Sequence, residues 1–217
     1  MRSLVDKCPV CHGYDNHEFS RDKKRIYYLC NDCSLLFVPR NLLIGIDEEK
    51  QRYQAHNNDF ENADYRAYLS KIIDSLEPFL LKGTQGLDFG SGKTTLFADL
   101  VKERGFAMIS YDLYFHPDEE IWFKKFDFIV LSEVIEHLRE PRHCLERVKS
   151  LLNSSGQLFI KTKFYPSDKK LFDNWFYKRD MTHVQFFNRN SLNQLAKSVG
   201  FSGSFKMIGE DLYRIVL

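Results

Sequence analysis

Four of the five cysteines stand in two pairs, Cys8-Pro9-Val10-Cys11 and Cys30-Asn31-Asp32-Cys33, with 18 residues between the pairs. Two residues between thiolates let both sulfurs of a pair turn toward one tetrahedral ion, with zinc–sulfur bonds of about 2.3 Å. The spacing therefore predicts a zinc site made of Cys8, Cys11, Cys30 and Cys33. Four thiolates leave no open coordination position, so the ion is structural rather than catalytic. A redox dithiol is the rival reading, but it calls for one pair at a helix start beside a βαβ pattern. His12 adjoins a ligand as a bystander. Cys144, the fifth cysteine, falls in a helical pattern as a small apolar residue.

A second feature lies at residues 86–95, GLDFGSGKTT. Its tail, Gly92-Lys93-Thr94, looks like the end of a phosphate loop. The count fails by one residue, because Leu87 occupies the position of the required first glycine. Asp88, at the strand end below the loop, would also repel a polyphosphate. The parse that fits is a hydrophobic strand ending in an acid, then Gly90-Ser91-Gly92, then a helix. Such a loop lets the backbone approach a nucleoside closely, and its acid suits a cationic ligand. Asp112 follows Gly90 by 22 residues, near the spacing at which an acid accepts hydrogen bonds from ribose hydroxyls. Thr95 replaces the third glycine of the dinucleotide fingerprint, which argues against NAD.

The elements that must position these groups alternate. A zinc module covers residues 1–40. Helical patterns over 47–57 and 61–80 fill a linker or lid segment, 41–84, in which Tyr53, His56 and Asn57 are lid candidates. From residue 85 to 217 strands and helices alternate: strands at 86–89, 106–111, 126–131, 157–161, 204–208 and 211–217, and helices at 94–104, 141–152 and 191–199. Residues 163–190 read as a loop rich in aromatic and charged residues. The pattern predicts an α/β fold with a mostly parallel sheet covered by helices. Ligands bind beyond the carboxyl ends of such strands. The expected site edge therefore holds Asp88, Gly90, Ser91, Gly92, Asp112, Ser132 and Glu133.

The strings LDFGSG, YD, FDFIVLSEVIEHL and LLNSSGQLFIKT, in that order, resemble class I S-adenosylmethionine-dependent methyltransferases. CPVC, LCNDC, QRYQAHNND and WFYKRDMTHVQFF resemble a bacterial group of these enzymes that carries an N-terminal zinc ribbon. The resemblance spans nearly the whole chain. It implies a Rossmann-like sheet with helices on both faces, and S-adenosylmethionine or S-adenosylhomocysteine as the bound cofactor. It implies that Phe89, Gly90, Ser91 and Gly92 pack against the cofactor's methionine and ribose, with Asp88 near the ammonium. Asp112 is implied to take the ribose hydroxyls, with Leu113 beside it, and Ser132, Glu133 and Val134 to lie beside the cofactor. Two departures stand out. Lys93-Thr94 replaces the usual small residues, and Lys93 is read as pointing to solvent rather than to the cofactor carboxylate. Only 14 residues separate Asp112 from Asp127, short for a helix plus a strand; Asp118 and Glu119 are weak candidates for reading adenine.

Methyl transfer to oxygen or nitrogen of high pKa also needs a general base. His183, in Asp180-Met181-Thr182-His183, follows the last long parallel strand on a loop expected to face substrate. The bland alternative is a loop in which Asp180 and Thr182 satisfy local backbone groups. His137 is the second candidate, one helical turn from Glu133, so that both would face the cofactor. Trp175 and Tyr177 line an acceptor pocket or cover the core.

Formal net charge is +1, so nothing in the total demands nucleic acid or an anionic membrane. The short clusters at Arg21 to Arg25, Lys161 to Lys163, Lys169-Lys170 and Lys178-Arg179 are read as solvated surface. No apolar run approaches the roughly 20 residues of a membrane span, and no apolar signal core is present at the N-terminus. The expectation is a cytoplasmic methyltransferase acting on a small-molecule acceptor. The alternatives are an RNA methyltransferase whose ribbon reads RNA, and a cofactor-binding interaction protein without catalysis.

Overall fold

The computed structural model describes residues 6–55, 63–203 and 205–217. The elements in chain order are β1 (Asn16–Arg21), β2 (Ile26–Cys30), β3 (Leu36–Phe37), α1 (Ile46–Ala55), α2 (Ala63–Leu76), β4 (Gln85–Phe89), α3 (Leu96–Glu103) and β5 (Ala107–Tyr111). They continue with β6 (Phe126–Ser132), α4 (Pro141–Ser150), β7 (Leu152–Lys161), α5 (Lys169–Asn174), β8 (Gln185–Phe186), α6 (Arg189–Ser198), β9 (Phe205–Gly209) and β10 (Leu212–Val216). The chain gathers into two compact units. One comprises Met1–Glu49, Ile135–Glu146 and Thr162–Phe201; the other comprises Lys50–Val134, Arg147–Lys161 and Ser202–Leu217.

The second unit is built on a six-stranded sheet in the order β5-β4-β6-β7-β10-β9. β4 runs parallel to β5 and β6, and β6 parallel to β7. β10 is antiparallel to both β7 and β9. β4 and β6 bury nearly every residue, as central strands covered on both faces must. Helices α2 and α3 supply Leu69, Ile73, Leu76, Phe97 and Val101 to a core shared with Phe128, Val130 and Phe159 of the sheet. A Cβ on Gly86 would lie 2.2 Å from the Phe128 ring, so glycine there lets that ring cross β4.

Between β5 and β6 the chain makes only a 3-10 turn, Glu119–Phe123, started by Asp118, whose side chain accepts the Glu120 N–H. Fourteen residues are too few for a helix plus a strand, and β5 is the edge of this sheet. β7 is longer than its expected span of 157–161. It starts at Leu152, and its register against β6 shifts between Phe126 and Phe128. No helix among the described residues is long and apolar enough to cross a membrane.

The first unit holds a four-stranded antiparallel sheet, β1-β2-β3-β8. Its fourth strand comes from the segment read as loop, 163–190. That segment also forms α5 and a 3-10 turn at Phe176–Arg179. These pieces are too short to show a periodicity. They cohere through aromatic packing instead: Phe172 meets Tyr27 at 5.2 Å and Phe186 at 5.6 Å between ring centroids. Asn188 and Ser191 cap α6 reciprocally, each side-chain oxygen accepting the other's N–H at 2.9 Å.

Candidate functional site

In the sheet unit, β4 delivers the Gly90-Ser91-Gly92 turn. Gly90 (φ 81) and Gly92 (φ 67) both adopt the left-handed region that disfavours side chains. The Gly90 and Ser91 amides donate to Tyr111 O at 2.8 and 3.1 Å, which folds the turn back over the end of β5. A Cβ on Gly90 would meet Val134 Cγ2 at 2.6 Å. Asp112 closes the arrangement. Its Oδ2 accepts the Gly92 N–H at 2.9 Å, and its Oδ1 accepts those of Tyr114 and Phe115 at 2.8 and 3.1 Å. At the end of β6, Glu133 has φ 54, and its N–H donates to Lys161 O at 2.9 Å. A glutamate in the left-handed region is strained, and such strain collects at working sites.

Asp88 lies below the turn and is 4% exposed. Burial, with the Asp112 charge adding to it, pushes its carboxyl up to about 7. Among the described residues no hydrogen-bond donor and no cationic side chain meets that carboxylate. A buried acid so placed fits a ligand that brings its own positive charge.

The remaining predicted residues near the turn divide. Phe89 packs its ring against Tyr111 at 5.2 Å and Trp122 at 6.3 Å, leaving its backbone to the turn. Leu113 is 66% exposed. Lys93 Nζ donates to Gln54 O on α1 in an exposed contact. Thr94 Oγ1 accepts the Leu96 N–H at 3.0 Å, so the phosphate-loop-like tail serves to start α3. On α1, Tyr53 packs on Tyr114 at 5.9 Å. Gln54 and Tyr53 thus reach the turn after β4 and the turn after β5. His56 and Asn57 lie outside the described residues.

In the other unit, the ligand atoms of Cys8, Cys11, Cys30 and Cys33 all lie within 4.8 Å of one another. Cys8 Sγ and Cys33 Sγ are 3.6 Å apart, and Cys11 Sγ and Cys30 Sγ 3.4 Å. A tetrahedral ion with bonds of about 2.3 Å needs sulfurs about 3.8 Å apart. The two knuckles repeat one hydrogen-bond pattern. His12 N donates to Cys8 O and Ser34 N to Cys30 O, while Cys8 N donates to Gly13 O and Cys30 N to Leu35 O. His12 (φ 64) and Ser34 (φ 60) both turn left-handed just after the second cysteine of their pair. The thiols also perturb one another: the Cys33 thiol draws Cys8 down to about 5, and the same contact drives Cys33 up. The donor set and its spacing fit zinc.

His137 and His183 also meet in this unit, with ring centroids 4.6 Å apart. Glu136, fully buried, joins them, and the three ligand atoms lie within 4.8 Å of one another. The Tyr177 hydroxyl donates to Glu136 Oε1. His183 Nδ1 lies 2.7 Å from Tyr177 O, and His137 Nδ1 3.2 Å from Thr182 O. A carbonyl only accepts, so both Nδ1 atoms carry the proton. The other nitrogen of His183, Nε2, faces Asp180 Oδ2 at 3.9 Å. Asp180 accepts the Thr182 N–H and hydroxyl at 2.8 and 2.7 Å. The local capping role is therefore present alongside the histidine pair. The expectation that Glu133 and His137 share a helical face fails. Glu133 is left-handed, and the helical turn is a 3-10 turn confined to Ile135–His137.

Residues 60–203, more than half of the chain, match a family model described as a methyltransferase domain. The chain belongs to this methyltransferase family. Among solved structures, it is similar to the Burkholderia thailandensis 1,6-didemethyltoxoflavin-N1-methyltransferase, at 14% identity and a TM-score of 0.57, covering 93% of this chain and 97% of that one. It is similar to a SAM-dependent methyltransferase from Archaeoglobus fulgidus, at 17% identity and a TM-score of 0.52, covering 78% and 97%. It is also similar to CalO1, a methyltransferase in calicheamicin biosynthesis, at 11% identity and a TM-score of 0.52. That match covers 70% of this chain and 54% of CalO1, so the chain spans little more than half of that neighbour's length. These likenesses are of fold: a Rossmann-like parallel sheet flanked by helices. No curated protein matches the methyltransferase by sequence.

Three residues of the methyltransferase gain roles that residue type alone does not suggest. Arg25, grouped by sequence with solvated charges, is 3% exposed. Its guanidinium donates to His183 O at 2.8 Å, to Met181 O at 3.3 Å and to Lys178 O. Lys178, also read as surface, is buried over the Tyr27 and Phe172 rings. Burial holds its pKa below the usual lysine range. Glu136 stands inside the EVIEHL string, and its position next to His137 is the signal that could have marked it. Trp175 takes the core-covering role, packed on Phe172 and Phe186.

Proposed function

We propose that this methyltransferase takes its methyl group from S-adenosylmethionine and passes it to a small-molecule acceptor. The observation that carries the reading is the buried carboxylate of Asp88, with no cation among the described residues, directly below a left-handed Gly90–Gly92 turn. S-adenosylmethionine supplies a sulfonium-bound methyl group and an ammonium but no phosphate, which matches an acidic floor. Asp88 would hold the ammonium and Asp112 the ribose hydroxyls, while the Gly90-Ser91-Gly92 backbone would pack against the methionine and ribose parts. Ser132, Glu133 and Val134 would flank the ligand. Support also comes from CalO1, crystallised in its SAH-bound form, and from the Burkholderia enzyme, crystallised with S-adenosylhomocysteine and the small molecule 1,6-didemethyltoxoflavin.

The cysteine cluster is proposed as a closed structural zinc site of an N-terminal ribbon. His183 is proposed as the general base, its ring held by the Nδ1 contact to Tyr177 O and by Asp180, whose Oδ2 lies 3.9 Å from Nε2, with His137 beside it as the second candidate. Titration calorimetry of the full chain with S-adenosylmethionine tests the central claim. Saturable one-to-one binding is expected, and its absence in folded, zinc-loaded protein would overturn the reading.

A further inference from the structure

Lys161, grouped by sequence with solvated charges, ends β7 and is 5% exposed. We propose that its ammonium binds an anionic oxygen group, a carboxylate or a phosphate, on the methyl acceptor. This deepens the methyltransferase reading and rests on it, since it concerns the chemistry of the acceptor.

Register places the lysine at the ligand edge. Lys161 pairs with Ser132 at the end of β6, and its carbonyl accepts the Glu133 N–H. Ligands bind beyond this end of parallel strands. Residues two apart on a strand share a face, so Lys161 leaves the sheet on the side of Phe159, which α2 and α3 cover. Val130 lies beside Phe159 in register, and Asp88 beside Val130. Acid and lysine therefore rise from one face, two strands apart, and α2 reaches both. Burial, and after it the Asp88 charge, raises the Tyr65 hydroxyl pKa, which puts Tyr65 near the acid. One turn later Tyr68 holds its ring centroid 5.7 Å from Lys161 Nζ. The two tyrosine rings stack at 6.3 Å. All of these residues belong to one compact unit.

An ammonium has three donors and is rarely buried unless paired. Among the described residues, Lys161 Nζ donates once, to Glu210 O at 2.9 Å, and no carboxylate pairs with it. A carbonyl and the face of Tyr68 ease the burial of a cation without neutralising it. A ligand anion supplies the counter-charge and takes the two remaining donors. The cofactor's own carboxylate is a poor match, because it stands one carbon from the ammonium that Asp88 would hold. Two strand spacings, about 10 Å, separate β4 from β7. Lys161 also leans the other way, toward Glu210 in the turn between β9 and β10. The anion therefore belongs to the second substrate. Asp88 and Lys161 would then sort the two substrates by charge, the acid taking the cationic donor and the lysine the anionic acceptor.

The test is calorimetry on the full chain loaded with S-adenosylhomocysteine, with benzoate, phenyl phosphate and neutral benzamide as probes. One or both anions should bind and benzamide should not; the preferred anion tells a carboxylate acceptor from a phosphate. Lys161→Met should weaken the preferred anion by at least about tenfold. Lys161→Arg should retain it, and both variants should keep the wild-type affinity for S-adenosylhomocysteine. Melting curves establish folding; if Lys161→Met does not fold, Lys161→Gln, which keeps a donor for Glu210 O, carries the comparison. Binding of neither anion by the folded wild-type protein overturns the proposal, and so does equal binding by a folded neutral variant. A loss of S-adenosylhomocysteine affinity in that variant gives the lysine to the cofactor carboxylate and overturns it too. Wild-type protein that does not bind S-adenosylhomocysteine is a separate result: it sinks the cofactor reading, and the anion series on ligand-free protein then decides the role of Lys161.

Discussion

The carboxylate of Asp112 holds the amide of Gly92 at 2.9 Å and, through its other oxygen, the amides of Tyr114 and Phe115. One side chain therefore fixes the turn after β4 and the turn after β5 at once. Asp112→Ala should weaken S-adenosylmethionine binding by about 1.5–3 kcal/mol, the scale of hydrogen bonds to a charged group. Calorimetry reads this directly, and unchanged affinity would remove Asp112 from the site.

Gly90 combines φ 81 with a Cβ position 2.6 Å from Val134 Cγ2. Gly90→Ala should therefore cost about 1–3 kcal/mol, from backbone strain together with overpacking. Adding Val134→Ala should recover the overpacking part and leave the strain. Urea unfolding of the single and double variants separates the two; full additivity would show that the contact has no energetic weight.

Asp88 carries a pH dependence. Its folded carboxyl titrates near 7, against about 3.9 in an unfolded chain. The folded state thus keeps a proton that the unfolded state has lost. This contribution to stability is complete below pH 4 and disappears as pH climbs to 7. A cationic ligand favours the ionised acid, so S-adenosylmethionine should bind more tightly as pH rises from 5.5 to 7.5. Asp88→Asn should flatten both trends. A ligand-free protein whose melting temperature shows no Asp88-dependent slope across that range would contradict the assignment.

The cysteine set should hold one thiolate-bound zinc per chain, released by chelator with a clear fall in melting temperature, since so small a module draws its folding energy from the ion. Elemental analysis of wild type and Cys30→Ser measures it. Folded wild-type protein free of metal would refute the ribbon.

Arg25 donates to three carbonyls on the segment that carries His183. Arg25→Lys keeps the charge but loses the fork, and should cost about 1.5–3 kcal/mol. Hydrogen exchange of the amides from Met181 to Val184 should speed up. Exchange indistinguishable from wild type would mean that the clamp is idle.

Much of the fold was legible where the signal is local. The apolar runs of β4 and β6, the glycine turn and the paired cysteines each announce themselves within ten residues. The capping Asn188–Ser191 pair likewise starts α6 close to where periodicity places it. What escaped depends on distant partners. β8 is two residues long and is a strand only because Leu36 and Phe37 lie beside it. Arg25 and Lys178 look like solvated cations until carbonyls and aromatic rings from far along the chain enclose them. At the candidate site, Asp88, Gly90, Gly92 and Asp112 were readable from spacing. The Glu136–His137–His183 cluster was not, because its members are joined by tertiary packing rather than by helical periodicity.

The pairing of β3 with β8 sets a schedule for the newborn chain. About 150 residues separate the two strands, and synthesis proceeds at roughly 5–20 residues per second. The N-terminal hairpin therefore waits on the order of ten seconds on the ribosome with the edge of β3 open. Unpaired strand edges are templates for mispairing. Early metal capture by the cysteines would hold that hairpin in shape during the wait, and a fragment ending at residue 40 should be prone to aggregation even when loaded with zinc.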